Sequence, residues 1–490
     1  MKTKVVLACL PFFNHLFTPP IQLAYLKAYL QQNNEVEVKI IDLESYYFNS
    51  HLIKGNINLY AEKICKGEDC ISKDIKNVLD EMVNLIISEN PDVVGFSVTH
   101  PNYLFTQYVS QRIKEIKPEI YIIYGGLYFC YRIRWLNNIA VWHRNNLPFV
   151  DCIVKNEGEV TLMELVGSSA KGKRPRYCRG TTLRFGEKVI DCGQRPLIKD
   201  INSLPFPNFE DFSKTDYLGD YIRILFSRGC IGRCLFCSDN YQMCARLRSP
   251  QNVVDEIKLR IQQGYTRFQS CDLTLNPSTP HLEKICRLII RENLKIQFVF
   301  GQLKHSRSLS CNTFSLLRKT GFNTICFGTE SGSQTILNRM HKDVDIRTIG
   351  QNIKDAYCEG LDVILFFIVG FPGESEKTFQ ETLNWIKANA RYIGAVKHVA
   401  PLAVNWGSIL HANRRLYNLD SNSLFKNPDI WRTKDGLNNY PWRLDLSRRM
   451  IRYLGELGIP MVEFEGENPM VPKNIKEKNN EKTRKKQDAL

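Results

Sequence analysis

Long hydrophobic runs are absent from this sequence of 490 residues. No stretch approaches the ~20 apolar residues that a membrane-spanning helix needs, and the longest candidate, 363–369, suits a short buried strand. The apolar run Val5–Ala8 before Cys9 is also shorter than the ~7–15 residues of a secretion signal. We therefore expect a cytoplasmic protein with no membrane span.

Cysteine is missing beyond Cys358, although the chain holds 16 cysteines. Their scatter over so long a chain does not fit a secreted disulfide scaffold, and it indicates buried thiols plus one metal site in a reducing compartment. The carboxyl-terminal part therefore cannot supply cysteine ligands to a second metal centre.

A nucleic-acid-binding module is also missing, although the formal net charge is +15. The tail 471–490 is rich in Lys, Asn and Glu and is predicted to be disordered. The remaining charge is spread thinly, which favours a generally basic enzyme over a nucleic-acid-binding protein.

Two successive α/β alternations are present. In the first, residues 1–195, short Val- and Ile-rich runs separated by helical patterns predict a doubly wound parallel sheet, whose ligands bind beyond the carboxyl ends of the strands. The predicted strands are Lys4–Leu10, Val36–Leu43, Asp92–Val98, Ile120–Tyr124 and Cys152–Val154. The glycine pair Gly125-Gly126 after the fourth strand predicts either close approach of a bulky ligand or an ordinary tight turn.

The second alternation, 196–400, has six strand-like runs, too few for a complete eight-fold barrel. We predict a partial (β/α)6 barrel with its active site at the strand carboxyl ends. The runs are Ile222–Phe226, Arg267–Cys271, Ile296–Phe300, Thr324–Phe327, Val363–Val369 and Ala395–Ala400. An interdomain linker is expected at 195–215 and a small, largely helical region at 401–470.

The strongest motif is Cys230-x-x-x-Cys234-x-x-Cys237, directly after the first barrel strand. Three thiolates at this spacing can fold around one 4Fe–4S cluster and leave one iron open to a ligand. Three unrelated thiols are one alternative. A zinc site with Cys244 as fourth ligand is the other, although no second CxxC or His pair accompanies the motif.

This motif, with Phe236 before the last cysteine, resembles the radical S-adenosylmethionine superfamily. The resemblance implies that the three cysteines bind the cluster and that Phe236 lies against the adenine of S-adenosylmethionine. Segments 248–257, 327–333 and 369–374 resemble the branch with an N-terminal cobalamin-binding domain. The resemblance covers about residues 3 to 460.

The N-terminal domain resembles the same branch through 18–26, Gly125-Gly126 and Glu157-Gly158-Glu159. This implies cobalamin at the strand ends, without a histidine ligand to cobalt, because the chain has no Asp-x-His-x-x-Gly. The residues predicted to line that site follow the strands: Pro11, Ser97, Thr99, Gly125, Gly126, Glu157, Gly158 and Glu159.

Three barrel residues are further candidates for binding S-adenosylmethionine. Glu330, at the end of the fourth strand, could accept hydrogen bonds from the ribose hydroxyls or cap the helix near Ser333. Asp272 could face the methionine moiety. Arg248 could pair a carboxylate bidentately or lie on the surface.

The resemblance implies an enzyme that methylates an unactivated carbon, by reductive cleavage of S-adenosylmethionine and methyl transfer from methylcobalamin. It also implies an electron donor such as flavodoxin or ferredoxin. Alternatives are a cobalamin-using cyclase or rearrangement enzyme, a methylthiotransferase, and a zinc or iron–sulfur protein that binds nucleic acid. The methylthiotransferase expects a second cluster from N-terminal cysteines, for which Cys9, Cys65 and Cys70 are poorly spaced. The substrate, whether peptide, lipid or small natural product, is not readable, and no catalytic residue is assigned.

Overall fold

The computed structural model describes residues 2–11, 17–49, 73–132, 136, 138–169, 175–239, 244–426 and 428–462. The predicted disordered tail, Cys65 and Cys70 lie outside these ranges. Within them, no helix is both long and apolar enough to cross a membrane.

The first part of the chain forms a seven-stranded sheet in the order β2-β1-β3-β4-β5-β6-β7. Strands β1 to β5 pair in parallel, which confirms the predicted doubly wound sheet. The order reverses between β1 and β3, and such a switch point is where open α/β sheets bind ligands. The strands are β1 (Thr3–Cys9), β2 (Val36–Asp42), β3 (Val93–Ser97), β4 (Tyr121–Gly125), β5 (Cys152–Val154), β6 (Thr181–Phe185) and β7 (Lys188–Asp191).

Strands β6 and β7 are not among the five strands that the sequence predicts for this part of the chain. They form an antiparallel hairpin that extends the sheet beyond β5. Three consecutive residues of β6 are buried and none of β7 is, so neither strand shows the alternation of buried and exposed positions that indicates a strand in sequence. The expected linker contains two 3₁₀ turns, Ile201–Ser203 and Lys214–Asp216.

Helices cover both faces of this sheet and leave its carboxyl edge open. Leu23 and Leu162 belong to the core on one face, and Val83 and Val109 belong to the core on the other. The helices are α1 (Ile21–Leu30), α2 (Leu43–Asn49), α3 (Lys73–Ser88), α4 (Tyr103–Ile116), α5 (Leu127–Arg132), α6 (Ile139–Asn146) and α7 (Glu159–Ser169).

The second part is the predicted partial barrel of six parallel staves. The third stave is split into β12 and β13, so the staves form sheets of three and four strands. The strands are β8 (Ile222–Ile224), β11 (Arg267–Ser270), β12 (Gln297–Phe298), β13 (Gly301–Leu303), β14 (Thr324–Glu330), β15 (Asp362–Val369) and β16 (Ala395–Pro401). A small antiparallel hairpin, β9 (Ser227–Arg228) and β10 (Arg246–Leu247), stands at the end of the first stave.

Helices surround the barrel. The first begins at Ser249, whose hydroxyl accepts a hydrogen bond from the Asn252 amide, with Pro250 in the first turn. The helices are α8 (Pro250–Gln262), α9 (Thr279–Arg291), α10 (Cys311–Lys319), α11 (Gln334–Arg339), α12 (Ile346–Cys358) and α13 (Glu376–Asn389), followed by a 3₁₀ turn at Ala390–Tyr392.

Three further helices follow the barrel: α14 (Ile409–Ala412), α15 (Ser421–Lys426) and α16 (Tyr440–Glu456). The apolar side of α16, with Leu446, Met450 and Leu454 at helical spacing, belongs to the barrel core. The chain then adds one parallel bridge, Met461 to Val396, at the open edge of the barrel.

The two sheets are joined by a shared core as well as by the linker. Ile21 and Tyr25 of α1 belong to the same buried cluster as the barrel strands. Lys27 pairs with Asp211 of the linker at 2.7 Å, and Tyr217 donates a hydrogen bond to Asp42 at 2.7 Å. These contacts hold the carboxyl edge of the first sheet against the mouth of the barrel.

Candidate functional site

The cysteine loop leaves the first barrel stave through hairpin β9–β10. Gly229 turns it with a φ of +92°, which favours glycine. The Cys237 amide bonds the Cys234 carbonyl at 3.2 Å, and the Leu235 amide bonds the Met340 carbonyl at 3.0 Å. The loop is therefore tied to a neighbouring segment of the barrel rather than free at the surface.

Asp272 anchors the start of this loop from the end of the second stave. Its carboxylate accepts bonds from the Phe226 amide at 3.1 Å and from the Ser227 hydroxyl at 2.7 Å. Burial raises the pKa of Asp272 to about 6, although the Ser227 hydroxyl and the Phe226 and Ser227 amides act in the opposite direction. The contacts of this side chain are thus internal, and the predicted contact with methionine stays a prediction.

The three cysteines of the motif are all half-buried on one loop. A Cβ at Gly232 would lie 3.3 Å from the Cys230 Sγ and 3.7 Å from the Cys234 Sγ, so both sulfurs converge on the space that this glycine leaves open. Burial raises the pKa of the Cys237 thiol to about 12. Thiols in such surroundings become good ligands only when a positive metal centre stabilises their thiolates.

A buried lysine that the sequence analysis missed lies beside the cysteines. The Lys342 ammonium bonds the Gly328 carbonyl at 2.8 Å and pairs with Glu330 at 3.2 Å. Burial raises the pKa of Cys234, whereas the charges of Lys342 and Lys304 lower it. Phe236 lies in the same group, with the Lys342 Nζ 6.0 Å from its ring centre.

Glu330 ends β14 with a φ of +66°, a left-handed conformation that is unfavourable for a residue with a side chain. The Glu330 carboxylate pairs with Lys342, and the hydroxyl of Ser333, the residue before α11, bonds Glu381 instead. The geometry thus gives no support to the capping alternative. The predicted ribose contact stays a prediction.

Arg248 is only 3% exposed, so the alternative that placed it on the surface is wrong. Its guanidinium donates to Asn252 and to the Leu225 carbonyl at 2.7 Å and pairs with Glu256. Because internal acceptors occupy most of its donors, this arginine holds α8 against the first stave. The guanidinium therefore has no free pair of N–H groups that could bind the carboxylate of a cofactor bidentately.

A single-ion metal site is not supported by the donor geometry. Among the residues that the structure describes, no three Cys, His, Asp or Glu side chains converge closely enough to hold one ion. Cys244, the proposed fourth zinc ligand, is exposed. Thiolates that bind separate irons of a cluster stand further apart than thiolates around one zinc ion, so the cysteine loop fits the former arrangement better.

A cavity of about 590 Å³ lies between the two sheets and is lined from both. From the first sheet it takes strand-end residues, and from the barrel it takes the start of the cysteine loop and the ends of two staves. Of the predicted cobalamin-site residues, it is lined by Ser97, Thr99, Gly125, Gly126, Glu157, Gly158 and Glu159. Pro11 is buried but does not line it.

Most of the cavity lining is apolar, and one buried polar atom of a lining residue has no hydrogen-bond partner. Leu23, Leu26 and Leu162 are among the residues that line it. Thr99 Oγ1 is buried without a hydrogen-bond partner, whereas the Thr99 amide bonds Asn102 at 2.8 Å. An unsatisfied hydroxyl in an apolar pocket is suited to a ligand that carries a polar group there.

The two glycines at the end of β4 have different roles: Gly126 is required by the turn, whereas Gly125 leaves space in the cavity. A Cβ at Gly126, whose φ is +102°, would lie 2.6 Å from the Val98 carbonyl oxygen, so this glycine is needed by the turn itself. A Cβ at Gly125 would lie 3.8 Å from the nearest atom, the Val154 Cβ. Only Gly125 keeps a side chain out of the cavity without being required by the backbone.

Glu157 and Glu159 reach the barrel, which the sequence analysis did not foresee. Glu159 pairs with Arg228 at 2.6 Å, and Glu157 pairs with Arg228 at 3.2 Å and with Arg246 at 2.8 Å. Burial would raise the pKa of the Glu157 carboxyl, but the bond from Arg246 and the charge of Arg228 outweigh it and lower the pKa. These carboxylates bind protein cations at the edge of the cavity.

Comparison with known proteins finds a family model that matches the barrel and solved structures that share the fold of the whole chain. Residues 224–386 match the family model of the radical SAM superfamily. An uncharacterized methyltransferase of Pyrococcus horikoshii is 26% identical over 380 residues, which span 75% of this chain and 73% of that protein. The anaerobic magnesium-protoporphyrin IX monomethyl ester cyclase of Rubrivivax gelatinosus is 25% identical over 376 residues, which span 74% of this chain and 61% of the cyclase.

Two solved structures are similar over nearly the whole chain. The radical S-adenosylmethionine methyltransferase TsrM from Kitasatospora setae, solved with cobalamin and a 4Fe–4S cluster, has a TM-score of 0.67 at 16% identity and covers 96% of this chain and 94% of its own. The cobalamin-dependent S-adenosylmethionine radical enzyme OxsB has a TM-score of 0.59 at 16% identity, covering 95% of this chain and 63% of its own. At these identities the likeness shows a shared two-domain fold.

Proposed function

We propose that this member of the radical S-adenosylmethionine superfamily is a cobalamin-dependent enzyme that methylates an unactivated carbon. Its barrel contains the radical SAM domain, and its two sheets together have the fold of TsrM and OxsB. The proposal takes its cofactors from these relatives: a 4Fe–4S cluster, S-adenosylmethionine and cobalamin.

The observation that carries the proposal is the shared cavity. The ends of strands in the first sheet and the start of the cysteine loop line one space of about 590 Å³. A ligand at the switch point of the first sheet therefore faces a ligand at the barrel mouth. This arrangement is what a transfer between two bound cofactors requires.

The residues present fit these groups. Cys230, Cys234 and Cys237 would hold the cluster, and the apolar strand-end cavity with the unpaired Thr99 hydroxyl would hold cobalamin. When bound, the cluster supplies the electron that cleaves S-adenosylmethionine, and cobalamin carries the methyl group. The overall balance is one substrate C–H, two S-adenosylmethionine and two electrons to one C–CH₃, 5′-deoxyadenosine, methionine and S-adenosylhomocysteine.

The chain itself positions the reactants and keeps water away. Glu330 and Lys342 place a buried ion pair beside Cys234, where the lysine lowers the electrostatic cost of anionic thiolates. The apolar lining of the cavity limits quenching of a carbon radical by solvent. An electron donor is required, and we propose a flavodoxin or ferredoxin in the cytoplasm.

A second candidate is ring formation without methyl transfer, because the Rubrivivax relative that spans 74% of this chain is named a cyclase. The methylthiotransferase alternative is weaker. It needs a second cluster from N-terminal cysteines, and Cys9 is buried within β1. The nucleic-acid-binding alternative has no support from the site, whose cations Arg228 and Arg246 are paired with carboxylates.

Isotope transfer during turnover tests the proposal. With the cognate substrate and methyl-deuterated S-adenosylmethionine, we expect label in the product and near-equal amounts of 5′-deoxyadenosine and S-adenosylhomocysteine. Cys234→Ala should stop 5′-deoxyadenosine formation. If 5′-deoxyadenosine forms with substrate but neither S-adenosylhomocysteine nor labelled product follows, the cyclase alternative replaces methylation.

A further inference from the structure

Two arginines of the hairpin β9–β10 cross from the barrel to the first domain. Arg228 places its two terminal nitrogens on different carboxylates, Nη1 on Glu157 at 3.2 Å and Nη2 on Glu159 at 2.6 Å. Arg246, on the partner strand, donates to Glu157 at 2.8 Å and to the Ile198 carbonyl at 2.7 Å. We call these four side chains the interdomain ion cluster.

The interdomain ion cluster is buried. The exposed fractions of the side chains are 14% for Arg228, 9% for Arg246, 10% for Glu157 and 5% for Glu159. Buried charges are tolerated when each has a partner, and the removal of one leaves an uncompensated charge. The four groups therefore hold one another in a single arrangement, with two positive and two negative charges.

The position of Arg228 gives this arrangement a consequence for the site. It lies two residues before Cys230, on the strand that leads into the cysteine loop, and its guanidinium carbon is 5.1 Å from the ring centre of Tyr25 in α1. Its partners Glu157 and Glu159 follow β5, at the carboxyl edge of the first sheet. All three charged residues line the shared cavity.

We propose that Arg228, through Glu157 and Glu159, is a positioning residue that sets the separation between the cysteine loop and the cobalamin pocket. This inference rests on the proposed function. A guanidinium can bridge two carboxylates with fixed geometry, which a lysine ammonium on a flexible stem cannot reproduce. A loop held by this bridge keeps its distance from the strand ends of the first domain, and transfer between two bound cofactors depends steeply on that distance.

The test compares Arg228→Gln, Arg228→Lys and Glu159→Gln with a matched control. Arg260→Gln removes a guanidinium that is even more deeply buried, with its side chain 2% exposed, and that bonds Glu256 inside the barrel and the Pro207 carbonyl of the linker rather than the cysteine loop. Each reconstituted protein is assayed for iron content, hydroxocobalamin binding and substrate-free 5′-deoxyadenosine formation. S-adenosylhomocysteine release is then measured with reduced cobalamin bound.

A spectroscopic reading reports the separation without turnover. The magnetic interaction between paramagnetic cobalt and the reduced cluster broadens their EPR signals and weakens steeply as they move apart. In Arg228→Gln we expect normal iron, normal 5′-deoxyadenosine, loss of this broadening, and S-adenosylhomocysteine release lower by roughly tenfold or more. Arg228→Lys and Glu159→Gln, which each keep one of the two bridging bonds, should fall between this variant and the wild type.

Several outcomes would overturn the inference. Unchanged broadening and S-adenosylhomocysteine release in Arg228→Gln would show that the bridge does not set the separation. Equal losses in Arg260→Gln would reduce Arg228 to a general contribution to stability. If Arg228→Gln does not fold, Glu159→Gln decides, because it preserves volume and leaves Arg228 paired with Glu157. A wild-type protein that binds iron but never hydroxocobalamin would instead refute the proposed function.

Discussion

The strand ends of the first sheet and the strand ends of the barrel meet at one cavity but present different chemistry. The first sheet contributes leucines, glycines and one unpaired hydroxyl, at Thr99. The barrel contributes the start of the cysteine loop, and the three thiols, with Glu330 and Lys342 beside them, lie further along that loop outside the cavity lining. One edge is thus suited to a large ligand held by shape, and the other to a metal centre held by specific ligands.

The two edges should therefore respond differently to substitution. Metal ligation depends on a few side chains, so changes there should act all or none. Binding by shape depends on empty volume, so changes there should scale with the volume added.

The largest effect is expected at the cysteine loop. Replacing Cys230, Cys234 and Cys237 together by Ala should abolish iron and sulfide binding, because these three cysteines alone have the spacing that a 4Fe–4S cluster needs. Cys244→Ala is the matched control and should leave iron unchanged, since Cys244 is exposed. Anaerobic purification with iron and zinc quantified decides the matter. One tightly held zinc and no iron in the wild type would contradict the assignment.

A tenfold or greater loss of cobalamin affinity is expected for Gly125→Leu, because the new side chain would enter the cavity where a Cβ fits without a clash. Iron content should not change. Gly455→Leu, at a helical position with open space around it, is the control. Gly126→Leu is unsuitable, since it would strain the backbone at Val98. Hydroxocobalamin titration measures the result, and unaltered affinity in Gly125→Leu would place the ligand elsewhere.

A smaller and pH-dependent loss of stability is expected for Glu157→Gln, which removes the negative charge that pairs with Arg228 and Arg246 between the two domains. The folded-state pKa of Glu157 is lowered below its ordinary 4.5. The ionised carboxylate therefore stabilises the fold above that pH, and the stabilisation is lost as the pH falls through the lowered pKa. At pH 7 the variant should lose about 2 kcal/mol of unfolding free energy, the scale of a hydrogen bond to a charged group, because glutamine keeps an acceptor oxygen but loses the charge.

Urea unfolding at pH 7 and at pH 3.5 measures this difference, which should shrink at the lower pH. Glu119→Gln, at an exposed carboxylate, is the control and should change little at either pH. A difference that is as large at pH 3.5 as at pH 7 would show that Glu157 stabilises the fold by packing rather than by charge.

No effect is expected from deletion of 471–490. The sequence predicts that this segment is disordered, because its composition offers few apolar residues for packing. Melting temperature, iron content and cobalamin content should match the full-length protein. A drop of several degrees in melting temperature would show that the tail docks on the folded part.

The sequence by itself determined the features that depend on local spacing. The cysteine motif, the parallel order of short apolar strands and the start of α8 at Ser249 are each encoded within a dozen neighbouring residues. The hairpin β6–β7 was not predicted because β6 has three consecutive buried residues and β7 has none, so neither strand shows a regular alternation.

Only the tertiary structure decided what distant residues do to one another. Glu157 and Glu159 looked like ligands of a cofactor, and they pair with Arg228 and Arg246 across about 70 to 90 positions of chain. Likewise Lys342 carried no signal until folding buried it beside Cys234. Charge pairing across such separations leaves no pattern along the chain, because the partners meet only when the carboxyl edge of the first sheet packs against the mouth of the barrel.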